Sequence, residues 1–458
     1  MTVAPVRPAS LAHERLALVV DDAVLVEEVC GVVVVEGLVD GTPALAFATD
    51  PTVQGGALGM EGCAAIARVT HEAVRRGCPI IGVWHSGGAR LREGVAGLDA
   101  VARVFAAQTT ASGKVPQVSV VLGPAAGGAA YGPALTDLVI LGPQGRIFVT
   151  GPDVVRRVTG EDCDMVRLGG PEVHGRRSGV VHLVCDSDSD ALQRARDLVV
   201  LLAAQGTVGA LALRPDPSEV MPEESRRAYD VRPLVDRLLD APGLELQAGW
   251  APNVATVLGR LGGRTVGVVA NNPLRLGGCL DSSSGEKAAR FVNLCDALGV
   301  PLLFVVDVPG YLPGLAQEWD GVVRRGAKLL HAYAACSVPR LTVVTHKSFG
   351  GAFIAMGSKG LGADAVFAWP KAQVDVMGAS AAVEVLHRRA LAELEGIERE
   401  AEVLRLAEQH LVETGGLQRA VACGAVDRVI EPATTRQVLA DALALLTDRR
   451  GDRKNTPL

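Results

Sequence analysis

Aromatic residues are scarce in this sequence, at 3% of 458 residues, and only seven of its 45 basic residues are lysine. No lysine lies between two methionines. The nine cysteines are an odd number and none forms Cys-x-x-Cys, which excludes a disulfide framework and a zinc ribbon. The nine histidines include no His-x-x-x-His pair, so no metal site is expected. No clean apolar run of about 20 residues exists, despite a mean hydropathy of +0.27. The richest stretch, Val118 to Leu135, is broken by four Gly and two Pro. Met1 to Leu11 has no cationic start followed by an apolar segment, so no signal peptide and a cytoplasmic location are expected. The net charge of −6 argues against nucleic acid as a partner.

What is present is length, glycine and repetition. The chain is about three times the ~150-residue prior for one domain. Hydrophobic residues make up 48% and charged residues 21%, a globular balance, and glycine is abundant at 53. Asp50-Pro51 with Gly55-Gly56 and Leu58 resembles Asn272-Pro273 with Gly277-Gly278 and Leu280, 222 residues on. Pro79-Ile80-Ile81 matches Pro301-Leu302-Leu303 at the same offset. Gly87 and Gly310, Val115-Pro116 and Val338-Pro339, and Gly127-Gly128 and Gly350-Gly351 recur at 223. After a four-residue slip, Asp137, Pro143, Val149 and Gly151 match Asp364, Pro370, Val376 and Gly378. Two similar domains in tandem explain this pattern. The join falls in the Pro-, Asp- and Glu-rich stretch from Arg214 to Val231, giving domains 1–222 and 223–458.

Each half reads as alternating strands and helices. Ile80 to Trp84, Val118 to Leu122, Leu302 to Val306 and Leu341 to Val344 are short apolar runs bounded by Pro and Gly, as buried strands are. Gly62 to Arg76 and Glu286 to Leu298 carry helical spacing. A further helix is expected over Ala381 to Glu413, stopped by Gly415-Gly416.

Glycine turns follow the strands in both halves: Gly87-Gly88-Ala89-Arg90 and Gly310-Tyr311, then Gly127-Gly128 and Gly350-Gly351-Ala352. A Gly pair opening a helix leaves backbone N–H groups unpaired. Two such groups converging on one point can stabilise a developing enolate or alkoxide. Tight helix-on-strand packing is the simpler use of a lone pair, but duplication in one structural slot favours chemistry. Phosphate loops do not fit: no Gly-x-x-x-x-Gly-Lys-Ser/Thr occurs, and Ser284-Gly285-Glu286-Lys287 has the wrong order. No Gly-x-Ser-x-Gly nucleophile is present. His85, His174 and His346 lie near the turns and each reads first as structural, His174 being the best catalytic candidate.

These motifs resemble a known family. Ser86-Gly-Gly-Ala-Arg90, Ala125-Ala-Gly-Gly128, Phe148-Val-Thr-Gly-Pro-Asp153, Asp307-Val-Pro-Gly-Tyr-Leu-Pro-Gly314 and Val376-Met-Gly-Ala379 are similar to those of biotin-dependent carboxyltransferases. The chain resembles the β subunits of acetyl- and propionyl-CoA carboxylases, in a short actinobacterial form, from roughly Asp50 to Pro432. The resemblance implies an α/β fold of two tandem crotonase-like domains and a homo-oligomer, a hexamer. It implies an acyl-CoA on the N-terminal domain and carboxybiotin on the C-terminal domain of a partner copy.

The same resemblance assigns residues. Gly127 and Gly128 would stabilise the thioester enolate, and Gly351 and Ala352 the ureido oxygen of biotin. Gly87, Gly88, Ala89 and Arg90 would border CoA; Gly310, Tyr311 and Gly350 would border biotin. Ile354 would line the acyl pocket and favour a short acyl group, acetyl as well as propionyl. No side-chain base is implied, because the biotin nitrogen takes the α-proton. His346 stands where relatives usually have a basic residue. Since no lysine here is set for biotinylation, the cofactor must arrive on a separate biotin carboxylase/biotin carrier α subunit. A decarboxylase or transcarboxylase subunit on the same fold is the alternative, and a non-catalytic assembly role fits the intact Gly pairs poorly.

Overall fold

A computed structural model describes residues 10–224, 227–414 and 416–457. The first sheet comprises β1 (Asp21–Val29), β2 (Val32–Val39), β3 (Thr42–Thr49), β4 (Ile80–Ser86), β5 (Gln117–Ala126), β6 (Leu138–Leu141), β7 (Arg146–Phe148) and β8 (Leu183–Val184). The second comprises β9 (Leu244–Leu246), β10 (Val254–Leu261), β11 (Arg264–Asn271), β12 (Leu302–Val308), β13 (Arg340–Phe349), β14 (Ala365–Ala368), β15 (Gln373–Asp375) and β16 (Arg428–Val429). Their orders are β1-β2-β3-β4-β5-β6-β8 and, read from its other edge, β9-β10-β11-β12-β13-β14-β16. A short extra strand pairs with the fifth in each, β7 on β5 and β15 on β13. The duplication read from the sequence is therefore a duplication of topology.

In each half an antiparallel hairpin is followed by parallel strands. The parallel strands are buried on both faces, which is why Leu-Leu-Phe-Val-Val in β12 shows no polar alternation. The expected strands all form, extended at their C-terminal ends. The two expected helices begin earlier, as Met60–Arg76 and Ser282–Leu298. Asp281 caps the second by accepting from the Ser284 N–H, while Ser284 Oγ accepts from the Asp281 N–H. Ser284 to Lys287 is thus a helix start. Lys287 is fully buried, and its ammonium donates to the carbonyls of Gln247 and Trp250 at 3.0 Å and of Ala251 at 3.4 Å.

The single C-terminal helix expected over Ala381 to Glu413 is instead broken into Ala379–Leu386, Arg388–Leu391 and Gly396–Thr414. Gly396 sits at φ +52°, a conformation that interrupts a right-handed helix. Gly415 lies outside the described residues, and Gly416 opens another helix, Gly416–Ala422.

One apolar core runs through both halves, joining Leu198 and Leu202 to Leu246, Val254 and Phe304. The chain crosses early: the Thr265 N–H donates to Gln205 O and the Gly209 N–H to Gly262 O, each at 2.7 Å. Residues ahead of 222 therefore already pack on the second sheet. The C-terminal segment returns to the first half, where Asn455 Nδ2 donates to the buried Asp137 carboxylate at 2.9 Å.

Candidate active site

The Gly-rich turns gather at the C-terminal ends of the parallel strands, where open α/β sheets place ligands. In the first half β5 ends at Ala126, and Gly127 turns the chain with φ +56° and ψ −123°. No residue with a side chain adopts that pair of angles cheaply. Gly128 then opens the helix Gly128–Ala134. The Gly127 N–H is spent on the carbonyls of Phe148 and Val149, at 3.2 and 3.1 Å. The expectation that Gly127 donates to the enolate is corrected here: its N–H anchors β5 to β7. The N–H groups without an acceptor among the described residues are those of Gly128 and Ala129. Ala130, one residue on, already donates to Gly127 O at 3.0 Å.

The second half has a turn of the same shape. β13 ends at Phe349, Gly350 takes φ +58°, and the helix Gly350–Ala355 follows. The N–H groups of Gly351 and Ala352 have no acceptor among the described residues. Gly351-Ala352 is therefore the positional counterpart of Gly128-Ala129, one residue beyond the Gly127-Gly128 pair read from the sequence. Nothing in the sequence marked Ala129, although strict use of the 223-residue offset from Ala352 would have found it.

The second turn of each half is stitched to the preceding glycine loop. Gly88 O accepts from the Leu58 N–H at 2.8 Å, and the Arg90 N–H donates to Leu58 O at 2.9 Å. Gly310 O accepts from the Leu280 N–H at 3.0 Å, and the Leu312 N–H donates to Leu280 O at 2.7 Å. Gly88 thus pairs with Gly310, not Gly87, and Ala89 with Tyr311. Gly87 holds the loop by donating to Gly55 O at 3.0 Å.

That pairing makes the half-sites unequal. Tyr311 is half-buried, and a Cβ added at Gly351 would lie 3.8 Å from its ring. On its other side, a Cβ at Gly326 would meet the ring and hydroxyl at 3.2 Å. Burial raises the Tyr311 hydroxyl above its ordinary pKa, keeping it neutral. The first half has only the methyl group of Ala89 there, and Gly128 packs instead against Val101, whose Cγ1 would lie 2.8 Å from an added Cβ. Ile354 lies on the helix behind Gly351 and is partly exposed.

The polar residues near the turns serve the fold. The Arg90 guanidinium donates to Ala57 O at 3.1 Å and Cys30 O at 2.6 Å, and lies 3.6 Å from Glu93. It holds the turn and has little left to offer CoA. His174 donates from Nε2 to Ile147 O at 2.6 Å, and its Nδ1 meets Ser178 Oγ at 2.7 Å. Burial lowers its pKa. His85 is lowered by burial and by Arg15, whose Nη1 lies 3.4 Å from its Nδ1. His346 lies 3.4 Å from Asp307. His85 and His174 are thus engaged by the fold. No group of three or more potential metal ligands occurs among the described residues. No helix there is long and apolar enough to cross a membrane.

Both rims are apolar and exposed. Leu91 (96% exposed) and Val95 follow the first turn; Leu315, Trp319 (82%) and Val323 follow the second.

Comparison with known proteins agrees with this geometry. The carboxyl transferase domain family matches residues 19–456. The chain is 58% identical over 433 residues to the biotin-dependent acetyl-/propionyl-coenzyme A carboxylase beta6 subunit of Mycobacterium tuberculosis, covering 93% of this chain and 92% of that one. It is 54% identical to the propionyl-CoA carboxylase beta chain of Rhodococcus erythropolis, covering 93% and 91%. Among solved structures it is similar to the transcarboxylase 12S hexamer core with methylmalonyl-coenzyme A bound, with TM-score 0.90 and 37% identity over 96% of this chain and 90% of that one. A single-chain, multi-domain long-chain acyl-CoA carboxylase matches with TM-score 0.83 and 28% identity over 94% of this chain and 45% of that one. With two topologically equal crotonase-like units, each carrying a glycine turn after its fifth strand, the chain belongs to the carboxyl transferase family.

Proposed function

We propose that this chain is the carboxyltransferase β subunit of a biotin-dependent acyl-CoA carboxylase. It transfers a carboxyl group from carboxybiotin to the α-carbon of acetyl-CoA or propionyl-CoA, giving malonyl-CoA or methylmalonyl-CoA. The observation that carries the reading is the paired donors, Gly128-Ala129 and Gly351-Ala352, at equivalent ends of β5 and β13. Donors fixed before the reaction stabilise charge where it develops, without reorganisation. The 58% identity to a carboxylase β subunit, against 37% to the transcarboxylase core, favours net carboxylation.

The acyl-CoA is assigned to the N-terminal domain, 1–222. There Gly128 and Ala129 would hold the thioester oxygen beside the space left by Ala89, with the Gly87–Arg90 turn as its border. Biotin is assigned to the C-terminal domain, 223–458. Gly351 and Ala352 would hold its ureido oxygen, with Gly310, Tyr311 and Gly350 shaping the wall. The open approach to Gly351, where even an added Cβ would lie 3.8 Å from the Tyr311 ring, fits a flat bicyclic group beside a ring. When bound, carboxybiotin supplies carbon dioxide and then a nitrogen base for the α-proton. The chain's task is to hold both oxygens, align the α-carbon and exclude water. Ile354 presents an aliphatic surface suited to a short acyl group.

The two half-sites are assigned to a shared site between copies, assembled as a hexamer, with biotin on a separate α subunit. The exposed Leu91, Val95, Leu315 and Trp319 support such a contact, and the solved transcarboxylase core is a hexamer. The test is transfer assayed with the purified chain, a biotinylated α subunit, ATP, bicarbonate and each acyl-CoA. Carboxylated product that depends on both chains supports the reading; none with either substrate refutes it.

A further inference from the structure

Strands β4–β5 and β12–β13 share an irregularity. Val306 pairs with Val344 and Val308 with Ser348, so Asp307 alone faces Thr345, His346 and Lys347. Trp84 pairs with Val121 and Ser86 with Ala125, so His85 alone faces Leu122, Gly123 and Pro124. Such a bulge leaves a backbone N–H without a ladder partner. The halves deal with it differently. In the first, the residue in that slot is Pro124, which has no N–H, and the His85 ring fills the space left by Gly123. In the second, Lys347 keeps its N–H and donates it to the Asp307 carboxylate at 3.2 Å.

Asp307 holds more than that N–H. Its other oxygen accepts from the Tyr229 hydroxyl at 3.0 Å, and His346 Nδ1 lies 3.4 Å away. The carboxylate is 4% exposed. It sits three residues before Gly310, and its bulge partner Lys347 sits three before Gly350. Tyr229 and His346 also line a cavity of about 560 Å³.

We propose that Asp307 is a positioning residue: by clamping the β13 bulge and Tyr229 to β12, it sets the spacing between the Gly310-Tyr311 turn and the Gly351-Ala352 donors. The inference rests on the assignment of biotin to this half. A shift of the bulge moves the donors relative to Tyr311, and a misplacement of about 1 Å costs on the order of 10²-fold in rate. The first half, with Pro124, does not depend on this clamp.

The test is the complete enzyme, assembled with its biotin-carrying subunit, in the variants Asp307→Asn and Tyr229→Phe. Asn keeps an acceptor for one of the two donors and loses the other. The expected result is a fall of about tenfold or more in kcat/KM for the carboxylated carrier in Asp307→Asn, and a smaller fall in Tyr229→Phe. KM for the acyl-CoA changes less than that for the carrier, because the other half binds the CoA ester and only Ile354 of the shifted helix is assigned to it. Equal changes in both KM values, or carrier kinetics equal to wild type in the folded variants, overturn the clamp. If Asp307→Asn does not fold, Tyr229→Phe decides by the same split. Failure of the underlying assignment looks different: Gly351→Ala would then leave carrier kinetics unchanged, whatever Asp307 does.

Discussion

Gly128 and Gly351 occupy equivalent positions, yet a methyl group at each should do different things. At Gly128 an added Cβ would lie 2.8 Å from Val101 Cγ1, in a helix packed beneath the turn. Val101 must move, and such overpacking costs about 1–3 kcal/mol. At Gly351 the nearest atoms are those of the Tyr311 ring, at 3.8 and 3.9 Å, an ordinary contact. Neither glycine requires a positive φ. Gly351→Ala should therefore melt with wild-type stability while its methyl group occupies the approach to the Gly351-Ala352 donors. Losing one such donor costs about 10²–10³ in rate, or roughly 2.7–4 kcal/mol. Gly128→Ala should lose stability and activity together. The assay pairs thermal melts with carboxyl transfer in both variants. Wild-type turnover in Gly351→Ala refutes the donor assignment; a large loss of stability there refutes the packing argument.

Three further outcomes are expected. Lys287→Met leaves the carbonyls of Gln247, Trp250 and Ala251 without their shared donor, and should destabilise by about 1–3 kcal/mol or more in urea unfolding. Burial raises Asp137 from 3.8 to about 6, so its stabilising contribution is present below pH 4 and is lost as pH rises through 6. The stability of Asp137→Asn relative to wild type should therefore grow by about 1–2 kcal/mol between pH 5 and 7.5, and a constant difference would contradict this. Ile354→Asp should change the ratio of kcat/KM for acetyl-CoA to that for propionyl-CoA, since a charged group replaces an aliphatic one; an unchanged ratio removes Ile354 from the acyl pocket.

Much of the molecule was legible in its sequence, because buried parallel strands and tight turns leave strong marks. Leu302 to Val306 reads as a strand from its apolar run, and Gly127-Gly128 finds its partner by repetition. Finer register was not legible. Which of two adjacent glycines turns the chain, and which keeps a free N–H, depends on β7, and nothing in the sequence says that Phe148 and Val149 accept from Gly127. Arg90 looked available to a ligand because its acceptors, Ala57 and Cys30, are backbone carbonyls that any residue could supply. The contact between Tyr229 and Asp307 links an irregular connecting segment to a strand 78 positions on, where no periodicity operates. The break in the C-terminal helix turned on Gly396, which a helical pattern tolerates on paper.

The most direct test of the account is carboxyl transfer by the purified chain. With a biotinylated α subunit, ATP and labelled bicarbonate, label should pass to acetyl-CoA or propionyl-CoA only when this chain is present. It should fall by about 10²-fold or more in Gly351→Ala while the carrier is still carboxylated. A carrier that accumulates label but never delivers it to either acyl-CoA through the wild-type chain would contradict the account.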